Sequence, residues 1–126
     1  MEIKPGIRGR AEKVVDSSNI AKTMGSGTLE VFATPAMIAL MEEAAVRALD
    51  LPEGQSSVGT SLDIKHVAAT PIGMKVWAEA ELVEVDRRRL VFNVEAFDES
   101  EKIGYGRHER FIIDIEKFLN KAEAKK

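Results

Sequence analysis

The chain has 126 residues, of which 31% are charged and 44% hydrophobic, and its formal net charge at pH 7 is −3. This length and balance predict one globular domain over residues 1–126. Basic and acidic residues are interspersed, which argues against the concentrated positive surface of a nucleic-acid-binding protein. The sequence contains no cysteine, so disulfides, thiolate nucleophiles and cysteine-type zinc sites are excluded.

The N-terminus lacks the apolar run of a signal peptide, and no stretch approaches the roughly 20 apolar residues that span a bilayer. We therefore expect a cytoplasmic protein that does not bind membranes. Residues 1–9 are expected to be a peripheral, frayed arm or a short turn around Pro5-Gly6. A weak strand is predicted over residues 10–15, and a flexible loop over residues 24–27.

One strong helix is predicted over residues 34–49. Thr34 is suited to cap its first turn and Pro35 to occupy the first helical position. Pro52 stops the helix, because proline cannot continue it. Apolar residues recur at helical spacing and define one buried face: Met37, Ile38, Met41, Ala44, Ala45, Ala48 and Leu49.

The remaining sequence up to about residue 115 alternates with the period of strands. Residues 58–70 place Val58, Thr60, Leu62, Ile64 and His66 on one inward face. Strands over residues 74–85, 90–96 and 103–115 are joined by charged turns at 86–89 and 98–102, which indicates an antiparallel meander. Residues 116–126 are predicted to form a short, fraying, peripheral helix.

These elements predict an α+β fold in which an antiparallel sheet of about five strands wraps around one central helix. Small residues at 44, 45 and 48 allow a close approach of helix and sheet. The opposite sheet face or its ends carry Trp77, Val83, Val85, Val91 and Phe97. Such a row indicates a partner, most simply a second copy of the chain; scattered surface apolar residues are the alternative.

Four residues are candidates for chemistry. Glu42 borders the apolar face of the helix, where a carboxylate is costly unless it is hydrogen-bonded or functional. It is therefore either a general base or a rim side chain that reaches solvent. Thr34 is a plain helix cap or a catalytic hydroxyl, and spacing alone favours the cap. His66, in line with Leu62, is a core histidine or an acid–base group, and His108 is either buried or exposed.

Taken together, these segments resemble the hot-dog-fold acyl-CoA thioesterases, and within them the fluoroacetyl-CoA thioesterase-like group. The resemblance extends from about Gly6 to Phe118. The segments that carry it are residues 31–34, Met37, residues 40–42, 57–60 and 66–71, Gly73 and residues 106–110.

The resemblance implies roles for four residues. Thr34, Glu42 and His66 match the family's catalytic threonine, glutamate and histidine, and Gly59 matches the glycine whose N–H helps to hold the thioester oxygen. It also implies an oligomer that is at least dimeric, binds acyl-CoA between protomers, and needs neither a metal nor a cofactor beyond the coenzyme A of its substrate. The sequence departs from the fluoroacetyl-specific members before Val31, where their longer aromatic-bearing segment is replaced by a short loop.

The function that we expect is hydrolysis of a short or small acyl-CoA thioester to free acid and CoA. A non-catalytic acyl-CoA-binding or ligand-sensing protein is the alternative. A hydratase of the same fold is a second rival, but the central helix lacks the aspartate and histidine that those enzymes use.

Helix geometry constrains the predicted site. Thr34 and Glu42 are eight residues apart, so their Cα atoms lie roughly 12 Å apart along one helix. Their side chains therefore cannot readily pair within one protomer. We expect either the substrate to bridge them or two protomers to build a composite site, and we favour the latter.

Overall fold

The fold is one five-stranded sheet with one long helix, and the computed structural model describes residues 2–126. In chain order the elements are β1 (Arg8–Val14), α1 (Ala21–Met24), α2 (Thr34–Ala48), β2 (Gln55–His66), β3 (Lys75–Asp86), β4 (Arg89–Asp98), β5 (Lys102–Asp114) and α3 (Ile115–Glu123). The strands lie in the order β1-β3-β4-β5-β2, and every neighbouring pair is antiparallel. None of the helices in residues 2–126 is both long and apolar enough to cross a membrane.

Helix α2 packs against β1, β2, β3 and β4, and this contact forms the core. Six of its side chains are buried: Met37, Leu40, Met41, Ala44, Ala45 and Ala48. The inward rows of the sheet meet them with Val76, Ala78, Ala80 and Leu82 of β3 and Leu90, Phe92, Val94 and Ala96 of β4. These rows confirm the predicted α+β arrangement of a sheet around one helix.

Glycines let α2 lie unusually close to the sheet. A Cβ added at Gly9 on β1 would collide with the carbonyl oxygen of Ala44 and lie 2.5 Å from the backbone nitrogen of Ala48. A Cβ at Gly104 on β5 would lie 2.5 Å from the sulfur of Met37. The close approach was expected from the alanines of α2, and the structure shows that it also depends on the facing glycines.

The N-terminal arm is not frayed, which corrects that part of the prediction. Gly6 donates its N–H to the carbonyl of Leu82 at 2.8 Å, and the N–H of Leu82 is donated to the carbonyl of Ile7 at 3.0 Å. Ile3 packs against the core. The predicted turn at Pro5-Gly6 is present, with Gly6 at a φ of +104°.

The start of α2 also differs from the prediction. Ala33 is the N-cap residue, with extended backbone angles, and no side chain caps the first turn. Thr34 is the first helical residue, so the prediction that its hydroxyl caps the helix is wrong. The hydroxyl is therefore available for another partner.

A β-bulge in β2 changes which residues face α2. The pairing with β5 shifts between Gly59 and Ser61, and the extra residue reverses the alternation. Gly59 and Leu62 lie opposite the buried Arg110 and His108 on the helix side. The inward placement predicted for Leu62, Ile64 and His66 is confirmed.

The inward placement predicted for Val58 and Thr60 is wrong, because Val58 precedes the register shift and Thr60 is the extra, exposed residue of the bulge between Gly59 and Ser61. Val58 pairs with Phe111, whose side chain is exposed.

The outer sheet face exposes less apolar surface than predicted. Val91 is fully buried, which corrects its assignment to an exposed row. Trp77 and Phe97 are half-buried and stack with ring centroids 5.7 Å apart. Arg10 lies 5.4 Å from the Trp77 ring centroid and Lys102 lies 6.0 Å from that of Phe97. These cations cover the aromatic pair, so the row is a weaker indication of a partner surface than the sequence suggested.

Candidate active site

The hydroxyl of Thr34 contacts the imidazole of His66. The distance from Thr34 Oγ1 to His66 Nδ1 is 2.7 Å. The contact forms because Thr34 is at the first turn of α2 and His66 is the last residue of β2, facing the helix. The threonine is exposed, so this hydroxyl–imidazole pair is open to a ligand.

The surroundings of His66 favour the neutral imidazole. Burial is the largest influence on the pKa of His66 and lowers it. The imidazole is therefore neutral near pH 7. Its Nε2 atom is buried and has no hydrogen-bond partner within residues 2–126. A neutral imidazole whose Nδ1 contacts the Thr34 hydroxyl can orient that hydroxyl or take its proton.

The same pair lines a cavity of about 360 Å³. Its walls combine the loop before α2 with the segment after β2: Ala21, Ser26, Val31, Phe32, Thr34, His66, Val67, Ala68 and Ala69. Most of these side chains are small or apolar, which suits a small acyl or thioester group.

Glu42 lies in a second cluster, farther along α2. Its Oε2 atom is 3.4 Å from Nη1 of Arg110 and 3.9 Å from Nε2 of His108. The side chain of Glu42 is 36% exposed, whereas those of Arg110 and His108 are buried. Glu42 is thus a partly exposed carboxylate with a buried cationic partner, rather than a rim side chain that merely reaches solvent.

Arg110 is held from three sides. Its Nε donates to Oγ of Ser57 at 2.8 Å, and its Nη2 donates to the carbonyl of Ser57 at 2.9 Å. The remaining nitrogen, Nη1, faces both Glu42 and Nε2 of His108. Because these hydrogen bonds fix its guanidinium group, Arg110 holds its positive charge at a defined position beside Glu42.

Gly59 belongs to the cluster of Glu42. A Cβ at this position would collide with Oε2 of Glu42 and lie 3.2 Å from Cε1 of His108. Only glycine lets the carboxylate lie against the backbone of β2 here. Gly59 therefore has a steric role, in addition to the hydrogen-bonding role that the resemblance implies.

One chain does not bring the four predicted residues together. Thr34 pairs with His66 at one end of α2, and Glu42 lies with Gly59 about two turns away. Sequence reasoning assigned no role to Arg110, although it lies two residues after His108 on the same face of β5 and within the segment 106–110 that carries the resemblance. Within residues 2–126, histidine, aspartate and glutamate do not form a group of three able to hold a metal ion.

Comparison with known proteins agrees with this arrangement. Residues 15–116 match the family described as fluoroacetyl-CoA-specific thioesterase. The fluoroacetyl-CoA thioesterase of Streptantibioticus cattleyicolor is 48% identical over 98 residues, which cover 76% of this chain and 70% of that protein.

Solved structures give the same assignment. The fluoroacetyl-CoA thioesterase FlK is 38% identical and superposes with a TM-score of 0.94, covering 100% of this chain and 99% of that one. A hot-dog-like protein from Thermanaerovibrio acidaminovorans is 25% identical, with a TM-score of 0.86 and coverage of 96% and 91%. The chain therefore belongs to the fluoroacetyl-CoA-specific thioesterase family and is an acyl-CoA thioesterase of the hot-dog fold.

Proposed function

We propose that this thioesterase hydrolyses a small acyl-CoA at a composite site, in which one protomer supplies Thr34 and His66 and the other supplies Glu42. The observation that carries the proposal is the separation of the two clusters in one chain. The small, largely apolar cavity beside Thr34 and the two-carbon acyl group in the name of the 48%-identical relative both favour a short acyl chain.

The chemistry is the addition of water to the thioester carbonyl. Glu42 either takes a proton from the attacking water or itself attacks the carbonyl as a nucleophile. Thr34, oriented by His66, holds the substrate or the water, or serves as the nucleophile. The C–S bond then breaks, and the CoA thiolate leaves and takes up a proton. Where Glu42 or Thr34 is the nucleophile, water then hydrolyses the acyl-enzyme anhydride or ester to release the free acid and restore the side chain.

Gly59 is proposed to polarise the carbonyl through its backbone N–H. A donor aimed at the developing oxyanion is worth on the order of 10²-fold in rate or more. The contact between Gly59 and Glu42 would bring this donor beside the carboxylate that acts on the same carbon.

The exposed edge of the sheet supports a homodimer. Strand β2 is an edge strand of 12 residues, and long unpaired edges favour pairing with another chain. Leu62, on the helix side of β2, is 42% exposed. Gly59 and His66 lie on the same strand, so a second protomer docked along β2 would meet both halves of the site.

The family favours hydrolysis over the alternative of a non-catalytic acyl-CoA-binding or sensing protein. We further propose a single cytoplasmic domain that needs no metal and no cofactor beyond the coenzyme A of its substrate. A homo-oligomer larger than a dimer is compatible with the composite site.

A panel of short acyl-CoA thioesters tests the proposal. Glu42→Gln, Thr34→Val and His66→Gln should each lower kcat by about 10²-fold or more, since each removes a proton-transfer or positioning group. Glu43→Gln is the matched control, because Glu43 pairs with Arg47 away from both clusters. Unchanged turnover in all three variants would overturn the site assignment, and CoA binding without turnover of any thioester would support the sensor instead.

A further inference from the structure

His108 is a buried titratable group with no place in the chemistry proposed above. It is fully buried on β5 beneath Arg110 and stacks on Phe92, with ring centroids 6.3 Å apart. A buried imidazole needs partners for both ring nitrogens. The identity of those partners fixes what the ring can do.

The partners of His108 determine its tautomer. Nδ1 lies 2.9 Å from the carbonyl oxygen of Ser61, directly after the bulge in β2. A carbonyl only accepts, so Nδ1 must carry the proton and donate. Nε2 then has a lone pair, and Nη1 of Arg110 donates to it at 3.1 Å.

The neutral ring is the form that fits this network. A proton on Nε2 would face the N–H of Arg110, and two cations would be 3.1 Å apart. Burial and then the charge of Arg110 lower the pKa of His108, opposed by the Ser61 carbonyl and by the charges of Glu42 and Glu109. Glu42 on α2 and Arg110 and Glu109 on β5 are the charged groups that act on the ring.

We infer that His108 is a positioning residue, whose neutral Nδ1–H tautomer holds Nη1 of Arg110 against Glu42. The inference rests on the proposed function in so far as Glu42 is the working carboxylate. A chain of contacts thus runs from the Ser61 carbonyl through His108 and Arg110 to Glu42. His108 does not act as a base, because its only lone pair is occupied by Arg110.

Two substitutions separate positioning from packing. In His108→Gln the side-chain amide oxygen can accept from Arg110, whereas His108→Phe fills the space and offers no acceptor. We expect His108→Phe to lower kcat by about tenfold or more with little change in KM, because Nη1 of Arg110 loses a buried acceptor. His108→Gln should keep kcat within about threefold of the original enzyme. Equal kcat in the two variants would overturn the inference.

A direct measurement does not depend on variants that fold poorly. The chain has two histidines, so ¹⁵N-histidine NMR of the intact protein resolves both rings, and His66→Gln assigns them. His108 should be neutral and protonated at Nδ1 near pH 7; an Nε2–H tautomer or an imidazolium would overturn the inference. Full activity in Glu42→Gln would instead refute the proposed role of Glu42 and leave the tautomer result standing.

Discussion

At the scale of single residues, the site depends on contacts that leave little room for substitution. Thr34 Oγ1 and His66 Nδ1 are 2.7 Å apart, and the carboxylate of Glu42 occupies the space that a side chain at position 59 would need. The glutamate is therefore fixed by a glycine on one side and by a buried arginine on the other. Positioning of this kind matters because catalysis falls steeply when a reacting group is displaced.

The contact between Gly59 and Glu42 gives the first prediction. Gly59→Ala should lower kcat by about 10²-fold, because the new methyl group displaces the Glu42 carboxylate from its place beside Arg110. A double-mutant cycle with Glu42→Gln checks the mechanism. In an enzyme that already carries Glu42→Gln, Gly59→Ala should lower kcat much less than it does in the original enzyme. Fully additive losses in kcat would show that the two residues act separately.

At the scale of elements, the position of α2 over the sheet sets where both clusters lie. The helix carries Thr34 at its first turn and Glu42 about two turns later, while β1 fixes its distance from the sheet through Gly9. A shift of the helix would move both functional groups relative to β2 and β5.

Gly9→Ala tests this helix–strand contact. The added methyl group meets backbone atoms of Ala44 and Ala48, which cannot rotate away. The free energy of unfolding should fall by about 1–3 kcal/mol or more, as for other overpacked core positions. Urea denaturation measures the change. Gly27→Ala, where the new methyl group meets only the side chain of Ala21 at 3.3 Å, should change stability less; equal losses would contradict the account.

The elements also show what the sequence can predict. The apolar stripe of α2 and the alternation of apolar and polar residues in β3 and β4 continue regularly over many residues. The helix, the hairpins and the fold class were therefore predictable. The bulge at Thr60 was not predictable, because one extra residue leaves no periodic signal. It overturned the inward placement predicted for Val58 and for Thr60 itself. The pairing of Arg110 with Glu42 joins residues 68 positions apart, which no local pattern encodes.

At the scale of the whole molecule, two histidines, the buried His108 and the half-buried His66, link folding to pH. Burial is the largest cause of the lowered pKa of both His66 and His108, from an ordinary value of 6.5. The unfolded chain therefore binds protons first as the pH falls. Stability is complete above about pH 6.5 and is lost as the pH falls toward the folded-state values.

We predict that the free energy of unfolding decreases between about pH 7 and about pH 5, by at most about 1.4 kcal/mol per pH unit for each histidine. Urea denaturation at fixed protein concentration measures the slope. The carboxylates with lowered pKa, such as Asp98 and Glu109, have ordinary values of 3.8 and 4.5 and titrate below this window. His66→Gln and His108→Gln should each flatten the slope; a protein that gains stability as the pH falls would contradict the prediction.

The central claim is that one functional site draws on two protomers, and heterodimers test it directly. A heterodimer of Thr34→Val and Glu42→Gln protomers, isolated with two affinity tags, would contain one site with both defects and one with neither. If each site takes Thr34 from one chain and Glu42 from the other, the heterodimer should recover about half the kcat of the original dimer, although each parent is nearly inactive. If the heterodimer is as inactive as its parents, each site lies within a single chain and the account is wrong.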